Sequence, residues 1–165
     1  MNISRLICLC LSGFFYFNSI AQDNISSIDN TLNQWHKAAA EANFEDYTDL
    51  MTEDCVFIGT DAIENWKGEA FLSFAKPYFD KGKAWTFHSI SRNIYNEDAK
   101  NIAWFDELLE TQMGICRGSG VLIFSDGKWK IKHYVLSIAI PNDNVTEIKE
   151  MNELYNASLI KSLKK

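Results

Sequence analysis

The chain lacks a basic surplus: 16 Lys and Arg stand against 22 Asp and Glu, a formal net charge of −6. Phosphate backbones are held by concentrated positive charge. The one interior basic cluster, Lys128, Lys130 and Lys132, sits at alternate positions along a single stretch, so no nucleic-acid partner is expected. Cysteine is scarce too. Cys8 and Cys10 fall in an N-terminal apolar run, and Cys55 and Cys116 form no Cys-x-x-Cys pair and neighbour no His-rich cluster. That excludes a structural zinc site from the expectation, and no metal or cofactor is expected at all. A disulfide between Cys55 and Cys116 and two separate buried thiols both remain open on the sequence. His36 and His88 are singletons without a ligand partner at helical or strand spacing, and read as core or surface residues. No internal repeat, low-complexity tract or long linker interrupts the chain.

What is present begins with Met1–Ala21. Arg5 supplies a short positive region, Leu6–Phe17 an apolar run, and Asn18–Ala21 small residues ahead of Gln22, the pattern of a secretory signal peptide. The run is shorter than the roughly 20 residues a membrane-spanning helix needs, so an exported, periplasmic or secreted protein without stable membrane insertion is expected. The rest divides into a domain over 22–142 and a C-terminal amphipathic helix over 143–165, where Val145, Ile148, Met151, Leu154 and Tyr155 recur at helical intervals.

Within the domain, two apolar runs flank Asp126-Gly127, a dipeptide suited to a type I′ turn. With these two as the loop, Ser125 faces Lys128. Strict alternation then puts Trp129, Ile131, His133, Val135 and Ser137 on one face with Phe124, Leu122, Gly120, Gly118 and Cys116. His133 stands opposite Gly120 in this register. Two glycines inside a strand suggest that something approaches the backbone there, and the expectation is a cavity over Gly118 and Gly120 walled by His133. With Gln112 and Met113 as the next tip, Thr111 faces Gly114, Glu107 faces Gly118 and Phe105 faces Gly120. Glu107 and His133 then share the cup.

Upstream, Ile25, Ile28, Leu32, Trp35, Ala39 and Ala42 mark a helix with one apolar face. A second helix is expected from Phe44 to Met51, a short strand over Cys55–Gly59, and a third helix after Gly68. Strand-like runs then cover 84–95, 99–111, 115–124 and 128–140. Helices first and an antiparallel meander last argue for an α+β fold, three helices packed on one face of a curved antiparallel sheet.

The motifs Ala103-Trp-Phe-Asp-Glu107, Arg117-Gly-Ser-Gly-Val-Leu122 and Trp129-Lys-Ile-Lys-His-Tyr-Val-Leu-Ser137, preceded by Trp66-Lys-Gly68, resemble the SnoaL-like branch of the nuclear transport factor 2-like superfamily over about Ile28 to Asn142. The resemblance implies a cone-shaped fold around an apolar cavity, frequent dimers through the outer sheet face, and activities that range from isomerases, cyclases and dehydratases to binders without catalysis. Where ketosteroid isomerase-like relatives carry a carboxylate base, this chain has Gly59; Asp61 lies two positions further on.

The candidate ligand site is therefore Trp35, Phe105, Glu107, Gly118, Gly120, Trp129, His133 and Ser137. If the protein is an enzyme, Glu107 and His133 are its general acid/base pair, because histidine titrates near neutrality and a carboxylate can orient it. The same two residues could instead satisfy one another in a packed core. The opposite face carries Trp104, Asp106, Arg117, Ser119, Val121, Ile123, Lys130, Lys132 and Tyr134, too apolar for a purely solvated surface, which predicts a symmetric homodimer. Arg117 would turn inward only with a bulge in its own strand. Three functions fit: an exported binder of a small apolar or amphipathic molecule, an acid/base enzyme acting on one, and an interaction module whose cavity is filled by its own side chains.

Overall fold

The structure, a computed structural model, describes residues 24–97 and 101–164. The expected signal peptide over 1–21 lies outside the described residues. Helix α1 covers 24–40 and buries Ile28, Leu32, Trp35, Ala38 and Ala39. It ends at Ala42, whose φ of 54° leaves the helical region. Asn43 caps the next helix, α2 (Phe44–Asp49), by accepting from the Asp46 N–H at 3.2 Å. Strands β1 (Met51–Ile58) and β2 (Asn65–Lys67) follow, then helix α3 (Glu69–Asp80), which buries Phe71, Ala75 and Phe79 at four-residue spacing. Four long strands complete the sheet: β3 (Phe87–Glu97), β4 (Ile102–Thr111), β5 (Gly114–Ser125) and β6 (Lys128–Ile138).

The six strands run in the order β2-β1-β6-β5-β4-β3. The meander β3 to β6 is antiparallel as expected, but β1 joins β6 in parallel, so the sheet is mixed rather than wholly antiparallel. A parallel neighbour requires a long connection. The segment from β1 to β6 supplies it, carrying β2, α3 and strands β3 to β5.

Both predicted turns are found. Asp126 and Gly127 have φ of 54° and 78° with Ser125 opposite Lys128, and Thr111 faces Gly114 with Glu107 opposite Gly118 and Phe105 opposite Gly120. The β5–β6 register departs from expectation beyond the turn. Leu122 pairs with Ile131 but Val121 pairs with His133, which leaves Lys132 as an extra residue in β6. A bulge breaks strict alternation, so Ile131 and Tyr134 both point inward and His133 turns out. Gly120 therefore faces Tyr134, not His133. The bulge lies in β6 and not in β5, and Arg117 stays on the outer, exposed face.

The C-terminal segment is two helices rather than one, α4 (Val145–Met151) and α5 (Glu153–Leu163), parted at Asn152. Leu154, Met151 and Leu163 remain more than 70 % exposed on them. Tyr155 ties α5 to the loop after β1 by donating to Asp61 Oδ1 at 2.9 Å. No helix among the described residues is long and apolar enough to cross a membrane.

Cys55 and Cys116 are free and buried, which settles the disulfide question against a bond. Burial pushes the Cys55 thiol up to about 12, and only a thiolate reacts quickly with electrophiles. We expect neither thiol to react with an aromatic disulfide reagent at pH 8 in the native protein, and both to react in denaturant. Titration of released thiolate distinguishes the two states.

Candidate functional site

The concave side of the sheet holds one buried polar cluster and, apart from it, one aromatic pocket. The cluster centres on Glu107, whose side chain is fully excluded from solvent. Its cross-strand partner on β3 is Arg92. Arg92 Nε donates to Glu107 Oε2 at 2.9 Å, and Nη2 lies 2.8 Å from the same oxygen. The other carboxylate oxygen meets His36 Nε2 at 2.8 Å and receives the Tyr134 hydroxyl at 3.4 Å. A carboxylate acceptor requires His36 Nε2 to carry a proton.

Helix α1 supports this arrangement with a polar stripe beside its apolar one. Asp29, Asn33 and His36 recur at positions that share a helix face, and Arg92 Nη1 donates to Asp29 Oδ1 at 2.7 Å and to Asn33 Oδ1 at 2.8 Å. The periodicity that marked Ile28, Leu32 and Trp35 could have flagged His36, four residues after Leu32. Of the two positions the sequence left open for it, core or surface, His36 takes the core.

Desolvation raises the pKa of Glu107, but the His36 hydrogen bond and charge, followed by Arg92, outweigh it and hold the carboxyl below its ordinary value. Burial, then the negative charge of Glu107, push the Tyr134 phenol well up, so Tyr134 stays a donor. A carboxylate already receiving several donors is a weak base with no exposed oxygen to offer a substrate. The cluster clamps α1, β3, β4 and β6 together.

The eight sequence-predicted residues are only partly brought together. Glu107, Phe105, Trp35, Gly118 and Gly120 converge, but around the Tyr134 side chain. A side chain at Gly118 would collide with the Tyr134 hydroxyl and Glu107, and one at Gly120 with the His133 carbonyl and the Phe105 ring. The glycines admit these groups and no ligand, so the expected cavity above them is filled. Trp35 stacks on Tyr47 at 5.0 Å and meets Tyr134 edge-on at 4.9 Å. Its indole N–H has no hydrogen-bond partner among the described residues. Trp129 is buried near the hairpin end, edge-on to Phe124 at 5.4 Å. The bulge removes His133 and Ser137 to the outer face, so the predicted Glu107–His133 pair does not form; His36 stands where His133 was expected. Asp61 is exposed and held by the Ile63 N–H and Tyr155.

An aromatic-walled opening lies elsewhere. A pocket of about 120 Å³ is walled by Phe57 of β1, Trp66 of β2, Phe71 and Phe74 of α3, and Trp85 and Phe87 beyond it. Leu136 and the β4–β5 tip, Gln112 and Met113, complete the wall, and Gly59, Thr60 and Glu64 form its rim. Trp66 stacks on Phe74 at 4.1 Å and Phe57 on Phe71 at 4.3 Å. Phe87 reaches from this pocket to the His36 ring, edge-on at 5.8 Å, and stands between the pocket and the buried cluster. None of the eight predicted residues lines it.

A curved sheet closed on its concave side by three helices, with a pocket at one end, defines the nuclear transport factor 2-like class. Within that class the chain belongs to the SnoaL-like domain family, whose model matches residues 28–141. Solved structures share the fold. An NTF2-like protein of unknown function from Pseudomonas putida KT2440 is 13 % identical with a TM-score of 0.61, covering 72 % of this chain and 89 % of its own. A proposed scytalone dehydratase from Novosphingobium aromaticivorans DSM 12444 is 12 % identical with a TM-score of 0.64, covering 74 % and 89 %. An NTF2-like protein from Cytophaga hutchinsonii ATCC 33406 is 17 % identical with a TM-score of 0.57, covering 68 % and 95 %. No curated protein matches the chain.

Proposed function

We propose that this SnoaL-like protein is an exported binder of a small apolar or amphipathic molecule, which it takes into the aromatic pocket at the end of the cone and does not transform. The observation that carries this reading is the wall of six aromatic side chains around open space. Apolar walls with a few polar groups at the rim are the usual chemistry of small-molecule sites. The acid/base alternative, an enzyme of the isomerase, cyclase or dehydratase type, would need Glu107 to meet substrate. Its complete burial and its three donors weigh against that role. The filled space above Gly118 and Gly120 narrows the third reading to the cone's interior and leaves the pocket at its end.

Native mass spectrometry of the protein purified from its own host tests the binding reading. We expect a reproducible small-molecule adduct that is lost in Trp66→Ala, a substitution that removes the ring stacked on Phe74. A wild-type protein that carries no adduct and binds no aromatic or aliphatic probe would defeat it.

We also infer a homodimer through the outer sheet face. Tyr95 and Trp104 stack there at 5.9 Å while 44 % and 41 % exposed, with Ile115 at 45 %. Apolar groups of this size gain from removal from water. Sedimentation is expected to show a dimer that Trp104→Glu converts to monomer. An unchanged mass for the variant would place the interface elsewhere.

A further inference from the structure

The rim of the aromatic pocket points to a chemical class of ligand. Resting on the binding reading above, we propose that the pocket takes a methylated ammonium head group, the quaternary nitrogen of a choline-like molecule. The rings supply the first argument. Phe57, Trp66, Phe71, Phe74 and Trp85 all line the pocket, and aromatic rings attract a cation held within about 6 Å of their centroids.

Charge supplies the second. Glu64 is the one ionisable side chain in the pocket wall, and among the described residues no Lys, Arg or His lines it. Its place is built: Oε2 accepts from the Asp61 N–H at 3.1 Å, and a side chain at Gly59 would fall on the same carboxylate. An anion at this rim would meet a carboxylate and no counter-charge. A cation would find charge complementarity, within a chain whose net charge of −6 already favours it.

Hydrogen-bonding capacity and size supply the third. A primary ammonium carries three N–H donors that each require an acceptor, whereas the walls offer mostly rings, with Thr60, Glu64 and Gln112 as the polar exceptions. A quaternary nitrogen has no N–H to satisfy. The volume of about 120 Å³ is near the roughly 150 Å³ of a cavity that holds one benzene, which suits a trimethylammonium group.

The test compares choline with its uncharged carbon isostere, dimethylbutanol, by calorimetry and by the fluorescence of Trp66 and Trp85. In the wild-type protein choline is expected to bind at least about tenfold more tightly than the isostere. Glu64→Gln, which keeps an oxygen for the Asp61 N–H, is expected to bring that ratio close to one without a change in Tm. Trp66→Leu is expected to weaken choline several-fold. If the isostere binds as tightly as choline, the ammonium assignment falls while the pocket reading stands. If neither compound binds while the protein still carries an adduct or takes an aromatic or aliphatic probe, the ammonium assignment falls and the pocket reading stands; if nothing binds at all, both fall.

Discussion

Replacing Glu107 by glutamine is expected to destabilise the domain by about 3 kcal/mol, the low end of the cost of breaking a buried ion pair, because Arg92 keeps its second carboxylate partner, Asp29. The Arg92 side chain is 5 % exposed, and the glutamine amide offers it a neutral oxygen in place of a carboxylate. In a domain of this size the fall in Tm is on the order of 10 °C, read by thermal circular dichroism. A second substitution tests the cause. Arg92→Met in the Glu107→Gln background removes the buried charge that has lost one of its two carboxylate partners and should recover part of the loss, so the double-mutant cycle shows coupling. Additive effects would mean that the two side chains do not depend on each other.

The same pair sets an acid limit. The folded-state pKa of Glu107 lies below its ordinary value, so its contribution is complete above the unfolded carboxylate value of about 4.3. That contribution is lost as pH falls through the lower folded value. Wild-type stability should therefore drop more steeply below about pH 4 than that of Glu107→Gln, and the gap between the two proteins should narrow. Parallel curves across that range would show that Glu107 is not held ionised.

Tyr134→Ala is expected to cost about 3–5 kcal/mol, the range for removing a buried aromatic ring, with the lost hydroxyl donor to Glu107 in addition. Tyr134 is 0 % exposed and touches Trp35, Phe57 and Phe105 at ring-centroid distances of 4.9, 5.3 and 6.1 Å. His133→Ala should change stability by no more than about 0.5 kcal/mol, as for a residue that faces outward. Urea unfolding of the two variants reads the β6 register directly. With strict alternation the order reverses, with His133 costly and Tyr134 tolerated.

These two side chains mark where the sequence stopped being readable. Both turns are chosen locally: Asp126-Gly127 adopts positive φ at little cost, and once the tips are fixed the pairs Glu107–Gly118 and Phe105–Gly120 follow by counting. The order of helices before strands and the four family motifs likewise carried the fold class. One extra residue at Lys132 then exchanged His133 for Tyr134, because a single-residue slip turns every later side chain to the other face. Nothing in Trp129-Lys-Ile-Lys-His-Tyr distinguishes a bulged strand from a regular one, since both leave apolar residues at alternate positions on either side of the break.

By itself the sequence determined the fold family, both hairpin turns, the burial of Glu107 on the concave face, and the helix whose apolar stripe covers it. Only the tertiary structure decided which histidine meets Glu107. It also showed that Tyr134 and Phe105 occupy the space above the two glycines, and that the aromatic pocket lies beside them, between β1, β2 and α3. The physical reason is range. Turn geometry and periodicity act over a few residues, whereas the Glu107 contact spans 71 positions to His36 and 15 to Arg92, and the pocket is the space left after all those contacts are made.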